Sequence, residues 1–422
     1  MALDIENPDV ESQGRGLERI EPTFLPDPDP RPLWCPAISV DDHVVEPANL
    51  FTSRVPNHLH DRVPHVVENE DGIPYWDIEG DRAPMRLTMF GAVGRPMHEW
   101  SLAPQKYSDF RPGVYDVHAR VRDMDLNGVW ASLNFPSFMW GFAGKRFSAM
   151  RDQEAGYAAF RAYNDWVMDE WCGAHPQRFI SCQIPWLADP EVAAAEIRRN
   201  ADRGFRSVTF SENPEGLGLP GIYTDHWDPF FAACEQTGTV VNLHVGSSGS
   251  ISQPSAASPA DVTVALFPLN SIQASVDWIF SRIPLRFPDL KIVLSESGVS
   301  WVPMVIERLT RSYRQAASSH TWTPADPDPV DILRRNFWFT SIEDPAAFQL
   351  IDQIGVDHVM VETDYPHADS SWPTSQDIFR RDLGHLPTTT VEKIMFRNAA
   401  GLYDHPLPPE TLLASSLLHA QD

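Results

Sequence analysis

The chain has 422 residues, 42% of them hydrophobic, and its 58 acidic side chains against 33 basic ones leave a net charge of −25. That length suits a single large barrel with insertions, and that charge repels nucleic acid and anionic membrane surfaces. No apolar run approaches the roughly 18 residues of a membrane span.

The acidic start "MALDIENPDVESQGRG" lacks the apolar segment of a signal peptide. Cys35, Cys172, Cys182 and Cys234 are scattered without metal-like spacing. Both features predict a cytoplasmic protein with buried thiols.

The first 36 residues contain "EPTFLPDPDPRP", whose alternating prolines sustain neither helix nor inner strand. They predict an extended arm, one that could reach a second subunit of a homodimer. "AISVDDH" is the first strand. An insertion over about 50–112 follows, and "HVVENEDGIPYWDIEG" in it reads as a hairpin with an Asp-Gly turn. "VYDVHARVRDMDLNG" then predicts a helix closed by Gly128, before the strand "VWASLNFP".

From there strands and helices alternate. The remaining strands are "RFISCQIP", "SVTFSE", "TVVNLH", "KIVLSE", "FWFTSIE" and "HVMVETD". Helices are expected over 150–174, 189–204, 226–237, 268–281, 300–317, 374–383 and 390–403, with a short one from Pro345. Asp189 and Pro190 start the second of these, and Gly204 stops it. Apolar runs of this kind suit parallel strands buried on both faces. Eight strand-then-helix units predict a closed (β/α)8 TIM barrel over residues 37–405, with a tail over 406–422.

Barrel chemistry gathers at the C-terminal strand ends. The first strand ends in Asp41-x-His43, two residues apart and so on one face. The fourth ends in Glu212, the fifth in His244, the sixth in Glu296 and the eighth in Asp364. Asp42 should face away from the site. Glu46 and His367 lie just beyond their strands, as further ligands or as residues that orient one. Each alone has a bland reading as a cap or a satisfied polar group. Converging carboxylates would repel one another, and a cation removes that cost. Four carboxylates and two imidazoles lean toward two ions, iron or manganese, with Glu212 as the bridge. The alternative is one zinc or manganese held by Asp41, His43, His244 and Asp364, leaving Glu296 and Glu212 for acid–base work.

"DDH", "NLH", "VETDYPH" and the closing "IMFRNAAGLY" resemble the amidohydrolase superfamily, in the branch of aminocarboxymuconate-semialdehyde decarboxylase. "WDPFFAACEQTGTVVNLHVGSSG" and "HPQRFISCQIPWLADPEVAAAEIRR" are similar to that branch too. Two positions depart from it. The usual first-strand His-x-His is Asp41-x-His43, and the usual sixth-strand His is Glu296.

With those departures the pattern resembles a subgroup of TIM-barrel nonheme di-iron monooxygenases of platensimycin and platencin diterpenoid biosynthesis. That resemblance implies hydroxylation of an apolar, acyl-coenzyme A-linked small molecule with O2 and an electron donor. Met, Trp and Phe of "FPSFMWGFAGKRF" would line its pocket, and arginines of "EIRRNADRGFR" and "ILRRNF" would meet the coenzyme. The alternative is a metal-dependent decarboxylase or hydrolase, with Glu296 as general base.

Overall fold

Each of the eight apolar runs forms a strand. They are β1 (Ala37–Val44), β2 (Val129–Pro136), β3 (Phe179–Ile180 and Cys182–Gln183, broken at Ser181) and β4 (Ser207–Phe210). Then come β5 (Val240–His244), β6 (Ile292–Ser295), β7 (Phe337–Ser341) and β8 (Val359–Val361). Every neighbouring pair is parallel, in chain order from β1 to β8. The structure is a computed structural model that describes residues 2–4, 19–137, 143–255, 257–315, 322–323 and 325–419.

Between β8 and β1 the regular ladder gives way to two backbone bonds. Asp364 N–H donates to the Asp41 carbonyl at 2.9 Å, and His43 N–H donates to the Tyr365 carbonyl at 2.6 Å. The architecture is the expected (β/α)8 TIM barrel with an arm and an insertion.

Local chemistry explains the helix ends. Asp116 caps the helix Val117–Asn127 by accepting from Ala119 N–H, and Gly128 ends it at φ 69°, a left-handed position that glycine takes without steric cost. Asp189 accepts from the N–H groups of Glu191 and Val192 to start Pro190–Asp202, a cap worth about 1 kcal/mol. The helix expected over 150–174 is α-helical over Gln153–Trp166 and continues as a π segment over Val167–Cys172. The last barrel helix likewise widens to π over Lys393–Arg397.

The insertion hairpin pairs His65–Glu68 with Pro74–Ile78, and Gly72 sits in its turn at φ 68°. A third strand, Asp81–Pro84, joins it. The motif "DRAP" carries no apolar alternation, so nothing in it announces a strand. The insertion shares an apolar core with the Gln153–Trp166 helix and the segment before it, in which Phe51 meets the Trp76 and Phe147 rings edge-on at 5.6 and 5.5 Å.

The described part of the arm packs on its own chain. Arg19 makes two 2.7 Å bonds to the Asp109 carboxylate, and Leu25 N–H donates to the Gly94 carbonyl at 2.8 Å. The tail returns to the arm's end, where Leu417 and Leu418 N–H donate to the Leu33 and Trp34 carbonyls at 2.8 and 3.0 Å.

All four cysteines are buried thiols. Among the described residues no helix is long and apolar enough to cross a membrane. Met139, Trp140 and Phe142 of the expected pocket loop lie outside the described residues.

Candidate metal centre

β1 delivers Asp41 and His43 through an irregularity. Ser39 pairs with Ser132 and Asp42 with Asn134, so β1 spends three residues where β2 spends two. Such a bulge re-aims side chains at a strand end. Asp41, His43, His244 and Asp364 are all at most 1% exposed.

Ligand atoms of Asp41, His43 and His244 lie within 4.8 Å of one another, as do those of His43, Asp364 and His367. Nε2 of His43 is 3.4 Å from Oδ1 of Asp41 and 3.4 Å from Oδ1 of Asp364. Nε2 of His244 is 3.4 Å from Oδ1 of Asp41. Nδ1 of His244 donates to the Val245 carbonyl at 2.7 Å. That bond orients the ring and turns Nε2 into the cage, the arrangement that metal-binding imidazoles use. His367 stacks on His43 with centroids 3.8 Å apart, and its Nδ1 lies 3.0 Å from Oδ1 of Asp364.

Glu296 borders this cage, with Oε2 3.9 Å from Nδ1 of His244. Its oxygens also approach those of Asp364 and Asp369, a purely carboxylate group. Glu296 and Asp364 both have left-handed backbones, at φ 54° and 48°. For a residue with a Cβ that conformation costs about 1–3 kcal/mol and is characteristic of functional sites.

Two expected residues stand apart. Oε1 of Glu212 accepts from Gly246 N–H, Ser248 Oγ and Asn270 Nδ2 at 3.1, 2.8 and 2.7 Å. It braces the loop after β5. Glu46 is buried under the insertion, where Tyr107 OH donates to its carbonyl at 2.8 Å. Neither belongs to a group of converging ligand atoms among the described residues.

Two further residues join the site in three dimensions. Glu362 is 1% exposed, and its Oε2 accepts Glu296 N–H at 3.2 Å. It shares strand parity with Asp364 in "VETD", a signal present in the sequence. Arg120 is fully buried behind β1. It donates to the Gly113 carbonyl at 2.8 Å and to the His43 carbonyl, with its guanidinium 4.1 Å from the centre of the Tyr365 ring.

The electrostatics are those of crowded acids. Burial, then the neighbouring negative charges, hold the Asp364 carboxyl well above its ordinary range. Burial, with Asp41 and Asp369 added, does the same to Glu296. Burial and Asp41 raise Glu362. Burial pushes His43 down to about 4. Burial opposes charge on His244 as well, yet Asp41 lifts that ring to about 9. Burial would raise Asp41 too, but His244 and His43 outweigh it and the direction is down.

Both carboxylate oxygens of Asp41 and both of Asp364 are buried without an aligned hydrogen-bond donor. Four such oxygens beside two imidazoles suit a divalent cation.

A family model for amidohydrolases matches residues 137–405. The chain belongs to the amidohydrolase family. It is 24% identical over 294 residues to gamma-resorcylate decarboxylase of Rhodococcus jostii (strain RHA1), which covers 64% of this chain and 87% of that protein. An amidohydrolase from Mycobacterium avium subsp. paratuberculosis K-10 superposes with a TM-score of 0.68 at 25% identity, covering 88% of this chain and 99% of that one. Dihydroxybenzoic acid decarboxylase from Polaromonas sp. JS666, solved with bound manganese and 2-nitroresorcinol, gives a TM-score of 0.55 at 18% identity and covers 88% and 97%.

These relatives overturn the di-iron monooxygenase expectation, and with it the two irons, O2, the electron donor and the acyl-coenzyme A substrate. This amidohydrolase has decarboxylases among its relatives. The structure supplies physical reasons. The carboxylate assigned as the bridge, Glu212, is engaged by three donors of its own loop. The arginines assigned to the coenzyme are engaged locally: Arg199 and Arg203 reach Asp165 at 3.3 and 2.5 Å, and Arg335 donates to the Pro284 carbonyl at 2.8 Å.

Proposed function

We propose that this amidohydrolase is a decarboxylase of a small hydroxylated aromatic acid, dependent on one manganese or zinc ion held by Asp41, His43, His244 and Asp364. The observation that carries the reading is the set of four buried oxygens on Asp41 and Asp364 that lack an aligned hydrogen-bond donor and lie beside the His43 and His244 nitrogens. Decarboxylase relatives of the same family support the choice of reaction. The catalytic unit would be residues 37–405 with the 50–112 insertion, between the 1–36 arm and the 406–422 tail.

In the reaction the bond from ring to carboxylate breaks, CO2 leaves, and the electron pair stays on the ring carbon, which takes up one proton. A bound divalent ion supplies Lewis-acid attraction for the substrate's oxygen atoms. The chain's own groups do the rest. Glu296 keeps its proton because burial and neighbouring charges raise its carboxyl, so it can donate to the ring carbon as a general acid. Glu362 holds the Glu296 backbone from below. Phe135, edge-on to His244 at 5.1 Å, sets an apolar ring against the cage.

The test is incubation of the manganese-loaded protein with 2,6-dihydroxybenzoate and its mono- and dihydroxy isomers, followed by chromatography. Appearance of the phenol that lacks the carboxyl group supports the reading. Unchanged acids throughout the panel would count against it.

A further inference from the structure

Asp42 stands between two cage residues in the chain and faces the other side of β1. It is 1% exposed. Its Oδ1 accepts from Ser39 Oγ at 3.0 Å, Thr363 Oγ1 at 2.6 Å and Tyr365 N–H at 3.0 Å. Its Oδ2 accepts from the Ser132 hydroxyl. One carboxylate thus ties β1 to β2 and to the segment after β8.

The last tie reaches the site. Thr363 and Tyr365 flank Asp364, whose backbone is left-handed at φ 48°. Asp42 grips both neighbours of that strained residue. The same junction carries the two backbone bonds that replace a ladder between β8 and β1, Asp364 N–H to the Asp41 carbonyl and His43 N–H to the Tyr365 carbonyl. Besides those two backbone bonds, the spacing between the Asp41–His43 pair and Asp364 is held by one buried side chain that contributes no atom to the cage.

We infer that Asp42 is the positioning residue of the metal cage, setting the distance between the ligands of β1 and the ligand after β8. This rests on the reading of the cage as a metal site. Buried groups that orient ligands in this way typically change metal affinity by about 10–100-fold when removed.

The experiment is titration of Mn2+ into the metal-free full-length chain, with far-UV circular dichroism and thermal melting of the same samples. Asp42→Asn keeps the shape but loses an acceptor, and should weaken Mn2+ binding by about 10–100-fold with the metal-free fold retained. Thr363→Val removes one of the four bonds and should weaken binding by a smaller factor. Asp42→Ala removes all four bonds, so adding Thr363→Val to it should weaken binding no further. A purely packing role would instead lower the melting temperature of metal-free and metal-loaded protein alike and leave affinity unchanged.

Wild-type protein that binds neither Mn2+ nor Zn2+ would overturn the metal-site reading itself. Wild type that binds while Asp42→Asn binds equally well would overturn the inference alone. If Asp42→Asn does not fold, Thr363→Val decides, and unchanged affinity in that variant contradicts the proposal.

Discussion

Nε2 of His43 and Nε2 of His244 stand 3.2 Å apart, brought together from strands on opposite sides of the barrel. The proton of His244 is committed to the Val245 carbonyl through Nδ1. Those two Nε2 atoms and the Asp41 carboxylate are groups that would hold a divalent cation. His244→Ala should therefore bind manganese at least about 100-fold more weakly than wild type, beyond the range for residues that only orient a ligand. Metal analysis after gel filtration reads this directly, and near-stoichiometric metal in the variant would remove His244 from the cage.

Glu296→Gln separates proton delivery from metal binding. The amide fills the same space but has no acidic proton to give. Metal content should stay near that of wild type while turnover falls by about 10²–10⁴-fold, the usual worth of a general acid. Steady-state kinetics alongside metal analysis checks both. Full turnover in this variant would assign the proton to another group.

The acids predict how stability depends on pH. Asp364, Glu296 and Glu362 have raised carboxyls and His244 is raised to about 9, so the folded chain holds protons that the unfolded chain releases. Stability then falls as pH rises. His43, lowered to about 4, has the opposite sign, but only between about 4 and the ordinary histidine value of 6.5. Metal-free protein should therefore lose stability steadily from pH 6.5 to 9, by about 1.4 kcal/mol per pH unit for each group still protonated only in the fold. Saturating manganese, which binds the deprotonated ligands, should flatten or reverse the slope. Urea titrations across that range, with and without metal, test the sign.

Arg120 is the buried cation behind the site, donating to the His43 carbonyl and stacked on Tyr365. Asp42 and Asp123 stabilise its charge in return. Arg120→Ala would take the donor away from the buried Gly113 and His43 carbonyls and leave a cavity behind β1, and a cost of about 2–5 kcal/mol is expected. Chemical denaturation measures it. A change below about 1 kcal/mol would show that the cluster contributes little.

Much of this was legible in the chain itself. Eight apolar runs between well-capped helices announce the barrel, because parallel strands buried on both faces leave no polar alternation. Acids and histidines at the ends of those runs announce a cation, because the fold sends them all to one mouth. What an inventory does not show is which carboxylates are already engaged. Glu212 is spent on Ser248, Asn270 and Gly246, and Asp42 on partners as far away as Tyr365. Counting the engaged Glu212 as a ligand is what leaned the set toward two metals, whereas the oxygenase expectation came from the resemblance. Glu362 escaped because its neighbour Asp364 already explained the strand end.

The central claim is decarboxylation, and release of CO2 from carboxyl-labelled 2,6-dihydroxybenzoate under nitrogen tests it most directly. The account predicts labelled CO2 in step with resorcinol from manganese-loaded protein, and none after the metal is stripped. Protein that holds its manganese yet releases no CO2 from this acid or its hydroxybenzoate isomers would contradict it.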